Sequence, residues 1–304
     1  MALRNRLVAS LVLAVAGTLA LSACGASSDA SNVSTPSDTA GNGDSASPTN
    51  SIGALLPEAI RSAGVLRVGS DMTYAPFEFL ADDKTPQGFD VELINAVGEE
   101  LGIKIELVNT SFDSIIPGLL AKKYDAIISA LTDNEDRRKQ VDFVDYITVG
   151  AGLLVPQGNP KGITGVEDLC GRKVAIAKGS TQVADADEES KKCTDSGKPE
   201  IEQLIFPAQP EVMLALTNGR ADAALTDLAT GAYNIQQTGQ KLEFVGAPYR
   251  AVVDGIAIPK NDTELAKALQ AAVQAVMDGG EYDSMLEKWG LTAGSMTKAT
   301  INLQ

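Results

Sequence analysis

Apolar positions along this chain follow two rhythms. VLRVG (Val65 to Gly69) and IKIELVN (Ile103 to Asn109) alternate, which predicts strands. VELINAVGEELG (Val91 to Gly102) repeats its apolar positions at helical spacing, and SIIPGLLAKK (Ser114 to Lys123) reads as another helix. A short helix, PEAIRSAG, ends at Gly64 before the first strand. Pro76 would interrupt a central strand, so the segment after Gly69 is predicted to be a loop. The resulting βαβα order predicts a mostly parallel sheet with helices on its faces.

The pattern resumes further on. AGLLVPQGN is a strand and turn, GVEDLC a short helix, and KVAIA a strand into KGST. DADEES followed by KK reads as a solvated helix. KLEFVG is a strand, and TELAKALQAAVQAVMDGG an amphipathic helix stopped by a Gly pair. EYDSMLEKWG is a last helix carrying Trp289, the single Trp.

The segment from Lys122 to Val149 holds the first candidate chemistry. It predicts a turn, a strand from Ala126 to Ser129, a polar loop and a short helix. Thr132 and Glu135 have capping-box spacing, which starts that helix near Thr132. Ser129 and Thr132 supply hydroxyls, and free backbone N–H groups at a helix start suit an anion. Arg137 presents paired donors that match a carboxylate. Its charged run, EDRRKQ, also fits a solvated helix face. A second stretch echoes this one. Aligning Asp125 with Asp222 sets Lys123 against Arg220, Ile128 against Leu225 and Ser129 against Thr226. The echo predicts two similar α/β units with polar groups at equivalent strand ends, where open sheets hold ligands.

The start of the chain has a different character. Arg4 and Arg6 precede an apolar run from Leu7 to Leu21, too short for a membrane span, which ends in Leu-Ser-Ala-Cys. Residues 1–24 are read as a signal peptide whose ending is similar to the bacterial lipobox, making Cys24 the lipid-bearing residue. Residues 25–55 are read as a flexible tether, because the stretch to residue 50 has almost nothing apolar to bury.

Charge and composition then remove several functions. With 25 Lys and Arg against 40 Asp and Glu, the net charge is −15, which argues against nonspecific nucleic-acid binding. The chain has no His, so His-based general bases and triads and the commonest metal ligand are absent. No metal and no cofactor are expected. Of three Cys, Cys170 and Cys193 remain once Cys24 is lipidated. An exported protein meets an oxidising setting, so the two are expected to pair.

GSDMTYAPFEF, GFDVELINAVGEELG, DSIIPGLLAKKYDAIISALT and RRKQVDFVDY together resemble the family 3 extracellular solute-binding proteins of ABC transporters for polar amino acids. The resemblance runs from about Leu56 to Leu291. It implies an α/β fold of the type II periplasmic-binding-protein kind, two lobes joined by two crossover strands with the ligand in the cleft. Residues 56–149 plus 248–304 would form the first lobe and 150–247 the second. The crossovers are placed near Gly150 to Gly152 and Gly246 to Pro248.

The same resemblance assigns roles. Arg137 would hold a ligand α-carboxylate, helped by Ser129 and Thr132, and Asp227 the α-ammonium. Tyr74 and Phe112 would sandwich the ligand, and Gly179, Ser180 and Thr181 would meet the carboxylate from the second lobe. Asp71 sits where relatives contact the ligand side chain. Ala130 replaces a Ser or Gly of relatives, Asp133-Asn134 departs from their pattern, and Ala177 stands where some carry Lys. Each of these residues also has a plain structural reading: Asp227 as a helix cap, Tyr74 and Phe112 as core aromatics, Asp71 as a loop brace.

The expected protein is therefore no enzyme. It is a lipid-anchored extracytoplasmic receptor, a monomer, that binds a polar amino acid and delivers it to ABC permease subunits in the membrane. Asp71, Glu78 and Asp133 tilt the ligand toward a cationic or amide side chain rather than an acidic one such as glutamate. A dehydratase of a prephenate-like acid on the same fold would need a cleft acid, for which Glu78 is the candidate. A sensor ectodomain would need a membrane span and cytoplasmic module after the lobes, which the sequence to Gln304 does not show.

Overall fold

The computed structural model describes residues 51–303. The signal peptide, Cys24 and most of the expected tether lie outside the described residues.

The chain opens with helix α1 (Glu58–Ala63), closed by left-handed Gly64, and strand β1 (Val65–Ser70). The loop after β1 forms a small separate sheet of β2 (Thr73–Tyr74), β3 (Glu78–Leu80) and β4 (Pro86–Gln87), with a cis Ala75–Pro76 bond. Helix α2 (Phe89–Leu101) follows, then β5 (Lys104–Asn109), α3 (Ile115–Leu120), β6 (Ala126–Ile127) and α4 (Glu135–Arg138). Strand β7 (Val141–Pro156) is long. Beyond it come β8 (Lys173–Ala177), α5 (Thr181–Asp195), β9 (Glu202–Phe206), α6 (Gln209–Thr217), β10 (Ala223–Asp227) and α7 (Leu228–Gln237). A second long strand, β11 (Leu242–Pro259), leads to α8 (Thr263–Asp278), α9 (Glu281–Trp289) and the short β12 (Thr300–Ile301).

One sheet runs β5-β1-β6-β11-β7-β10-β8-β9, with β12 added on β7. Its two flanks, β5-β1-β6 and β9-β8-β10, are each parallel. Its middle is antiparallel, because β7 and β11 cross between the lobes in opposite directions and pair along their length, from Leu242 opposite Pro156 to Pro259 opposite Val141. The expected mostly parallel sheet is corrected accordingly to a mixed one. A chain that leaves one lobe and returns beside its own exit must lay the two crossings antiparallel. The register of β11 on β7 shifts between Val245 and Arg250, around the left-handed Gly246.

The echo between the two halves is a structural repeat. Asp125 N donates to Arg67 O at 2.8 Å, and Arg67 N donates back to Asp125 Oδ2 at 3.0 Å. In the second lobe Asp222 N donates to Lys173 O at 2.7 Å, and Lys173 N to Asp222 Oδ2 at 3.0 Å. Each aspartate thus ties the turn that follows a helix to the middle strand of its flank, β1 or β8, and each flank has the order βαβαβ.

Helices are placed by their apolar faces. Helix α2 buries Phe89, Leu93, Ile94, Val97 and Leu101, one stripe at helical spacing, and stops at left-handed Gly102. Helix α8 starts where Asp262 Oδ1 accepts from Leu265 N at 3.1 Å, and packs Leu269, Val273 and Val276 into the same core. That core belongs to the first lobe. The second lobe has two cores, one on each face of its sheet: Leu153, Val174, Ile176 and Leu225 lie in one, Leu154, Ala175, Val212 and Leu216 in the other. Cys170 and Cys193 are joined by a disulfide, as expected, tying the turn before β8 to α5.

Candidate functional site

The site is built from loops that leave the carboxyl ends of strands. Asp71 follows β1 and braces three of them. Its Oδ1 accepts from Thr73 Oγ1 at 2.7 Å, its Oδ2 from Phe112 N at 2.9 Å, and its own N donates to Ser129 Oγ at 3.0 Å. Ser129 Oγ in turn donates to Glu78 Oε1 at 2.8 Å. Ala130, held at φ 40°, donates its N–H to Asp90 Oδ2 at 2.7 Å, and Asp90 also receives the Tyr146 hydroxyl at 2.8 Å.

Helix α4 carries Arg137. The helix begins at Asn134, whose side chain accepts from Arg137 N at 2.9 Å, so the cap expected near Thr132 lies two residues later. Asn serves because its short side chain reaches the first free N–H groups. Thr132 instead orients the arginine: Arg137 Nη1 donates to Thr132 O at 2.8 Å. The guanidinium lies over the Phe112 ring at 5.6 Å from its centre. Its Nη2 reaches Gly179 O of the second lobe at 3.2 Å.

The second lobe presents Asp227 at the end of β10, from the position that caps α7. Its Oδ2 accepts from the Tyr74 hydroxyl at 2.7 Å and its Oδ1 from Gln182 Nε2 at 3.0 Å. Neighbouring Thr226 Oγ1 accepts from Gln209 Nε2 at 2.9 Å. Ser180 bonds back to Ala177 O at 2.8 Å, and Thr181 opens α5. The lobes are drawn together beside the site by Lys178 Nζ and Asp113 Oδ2 at 2.7 Å. Gly179 is required at that approach: its φ is 80°, and an added Cβ would lie 3.0 Å from Asp113 Cα.

Between these walls is a cleft of about 530 Å3, any open solvent at its mouth included. Of the expected residues, Asp71, Tyr74, Phe112, Ala130, Thr132, Arg137, Ser180, Thr181 and Asp227 line it. Ser129 is fully buried behind this wall, and Gly179 meets the site through its backbone carbonyl. Glu78 and Asp133 do not line the cleft: Glu78 is buried beneath Ser129, and Asp133 Oδ2 faces Arg138 at 3.2 Å. Gln182, Gln209 and Thr226 line it without having been expected, and Ala177 is also present. Their signal was position: Gln182 follows KGST directly, and Thr226 precedes Asp227.

Burial dominates the electrostatics. It pulls Arg137 down to about 10, against the attraction of Asp254 and Asp227. It pushes Asp227 up to about 6, although the Tyr74 hydroxyl, Arg250, Gln182 and Arg137 all favour the ionised form. Asp71 is raised by burial too, with Thr73 and Phe112 N opposing. Asp254, fully buried on β11 and opposite Thr132 in an isolated bridge, is raised by burial and by the Asp227 and Asp90 charges. A guanidinium and a carboxylate thus face one enclosed space from opposite lobes, with aromatic and hydroxyl groups between them. Such an arrangement receives a small zwitterion.

Residues 66–292 match the model of the bacterial extracellular solute-binding proteins, family 3. The chain belongs to this family. The arginine-binding protein of Corynebacterium glutamicum is 32% identical over 260 residues, 84% of each chain. The lysine/arginine/ornithine-binding periplasmic protein of Escherichia coli K12 is 33% identical over 244 residues, covering 78% of this chain and 89% of its own. Among solved structures, an ancestral arginine-binding protein bound to arginine is 34% identical, superposes with a TM-score of 0.69, and is matched over 74% of this chain and 98% of its own. The family fold is the two-lobe type II arrangement described above. Among the described residues no helix is long and apolar enough to cross a membrane.

Proposed function

We propose that this family 3 protein is the extracytoplasmic receptor of an ABC importer for a cationic amino acid, L-arginine foremost. The observation that carries the reading is the placement of Arg137 and Asp227, from different lobes, on one cleft. Arg137 takes the α-carboxylate with Thr132, Ser180, Thr181 and the backbone around Ala130 and Gly179. Asp227 takes the α-ammonium. Tyr74 and Phe112 flank the ligand, and Ser129 acts indirectly by holding the Asp71 backbone. Asp71 is the acid left for a cationic side chain, since each of its oxygens keeps a further lone pair. The names of the two relatives support the same class of ligand.

The mechanism is closure of one lobe on the other about β7 and β11, with residues 56–149 plus 248–304 as one body and 150–247 as the other. Closure removes water from the Arg137 and Asp227 pairs and strengthens them. The closed form is what the permease subunits recognise. The protein works as a monomer outside the cytoplasm, held to the cell membrane by a lipid on Cys24 after removal of the signal peptide. Glu78 lies behind the cleft wall, which disfavours the dehydratase reading, and Asp71, the acid left for the side chain, disfavours glutamate as the ligand.

A thermal-shift screen against all proteinogenic amino acids, ornithine and prephenate tests this. L-arginine raises the melting temperature most, since a ligand at a hundred times its Kd stabilises by about 2.7 kcal/mol. A shift with glutamate and none with arginine, lysine or ornithine would overturn the ligand class.

A further inference from the structure

Helix α7 touches the first lobe at two places. It starts from Asp227, which receives the Tyr74 hydroxyl, and less than two turns later it carries Tyr233. The Tyr233 ring meets Phe79 of the first lobe, with centroids 5.9 Å apart and an interplanar angle of 47°. That separation falls within the roughly 4.5–7 Å at which aromatic pairs attract. Trp289 of α9 holds Phe79 from its other neighbour position, edge-on at 5.9 Å and 86°. All three rings are half-buried, and none of them lines the cleft.

The elements behind these rings are the ones that reach the cleft. Thr73 pairs with Phe79 and Tyr74 with Glu78 across β2 and β3, so one small sheet carries both Tyr74 and Phe79. Helix α7 carries Tyr233, and Asp227 caps its start. The root of this helix is seated on the crossover. Leu228 lies so close to Gly150 and Gly152 of β7 that a Cβ added there would come within 2.7 and 2.6 Å of it. A stiff helix seated in this way moves with the second lobe, so Asp227 and Tyr233 approach the β2-β3 pair together. The ring contact differs in kind from the polar contacts beside it, because it gains by removing apolar surface from water.

We propose that Phe79 and Tyr233 are positioning residues, an aromatic latch outside the cleft that stabilises the closed form and slows the escape of the bound amino acid. This rests on the hinge-closure reading given above. The latch touches no ligand, so it sets how long the amino acid stays and not which amino acid is chosen.

Release of radiolabelled L-arginine into excess unlabelled L-arginine tests the latch. Tyr233→Ala releases it about tenfold faster than wild type, and Tyr233→Phe, which keeps the ring, restores the wild-type rate. Phe79→Ala gives the same rise should Tyr233→Ala fail to fold. Trp289, the single Trp, supplies a second readout. Its emission shifts on adding L-arginine in wild type and Tyr233→Phe, and shifts less in Tyr233→Ala. Wild-type release from both alanine variants, equal acceleration in Tyr233→Phe, or an emission response that ignores Tyr233→Ala overturns the proposal. L-arginine that does not bind, or binds regardless of Arg137→Ala, overturns the cleft reading instead. The latch is then decided without ligand, by small-angle scattering: Tyr233→Ala has a larger radius of gyration than wild type and Tyr233→Phe, and equal radii overturn it.

Discussion

The Tyr74 hydroxyl of the first lobe donates to Asp227 Oδ2 of the second at 2.7 Å. One residue assigned to flank the ligand therefore also joins the lobes through the residue assigned to its ammonium. With Arg137 on Gly179 O and Lys178 on Asp113, it forms a set of polar contacts across the cleft. Removing the hydroxyl in Tyr74→Phe keeps the ring and deletes a bond to a charged group, worth about 1.5–3 kcal/mol. Without ligand, small-angle scattering then shows a larger radius of gyration than wild type. An unchanged radius would mean that this bond does not hold the lobes together.

Arg137 works through geometry as well as charge. In Arg137→Lys the charge stays, but the planar donors that bond Thr132 O and face the cleft are lost. Affinity for the amino acid falls by about thirtyfold or more, as expected for losing about 2 kcal/mol of charge-assisted bonding. Calorimetry that finds the lysine variant equal to wild type would reduce Arg137 to a general positive charge.

Much of this was legible in sequence. The Asp125 and Asp222 echo and the strand ends follow from short local patterns that the fold repeats, whereas the residue set from Asp71 to Asp227 was implied by the family resemblance. The polar partners of the cleft were harder to read. Gln182 and Gln209 meet Asp227 and Thr226 only because α5 and α6 point their first turns inward. Asp254 sits in VVDGIAIPK, an ordinary strand in sequence, and its burial opposite Thr132 depends on pairing across more than a hundred residues. The acids that tilted the ligand toward a cation were counted without direction: of Asp71, Glu78 and Asp133, only Asp71 reaches the cleft. The start of α4 moved for a local reason, because Asn134 outcompetes Thr132 as a cap.

Acid should weaken binding. Asp227 has an ordinary carboxyl value near 3.8 and is lifted by burial to about 6. Below that pH it carries a proton that an incoming ammonium must displace. Affinity is therefore complete above about pH 7 and falls by at most about tenfold per unit as pH drops through 6. Arg137, at about 10, keeps its charge throughout. Asp90 and Asp145 also titrate near 6 but do not line the cleft. Asp227→Asn should bind weakly with a flat profile between pH 5 and 7; a profile as steep as wild type would assign the titration elsewhere. Folding stability responds with the opposite sign, since a carboxyl with a raised folded value disfavours folding as pH rises through that value.

The Cys170–Cys193 disulfide closes a loop with a sequence separation of 23. Reduction should cost about 3 kcal/mol in the chain-entropy account. Urea denaturation with and without reductant checks this; coincident curves would show that the crosslink does not constrain the unfolded chain.

In the proposed function the cleft grips both ends of an α-amino acid, Arg137 the carboxylate and Asp227 the ammonium. The direct measurement is calorimetric titration of the best amino acid from the screen, expected to be L-arginine, beside its decarboxylated and its deaminated analogue. Each analogue should bind at least about a hundredfold more weakly, because a site built for a polar group strongly rejects a ligand lacking it. Either analogue binding as tightly as the amino acid would contradict it.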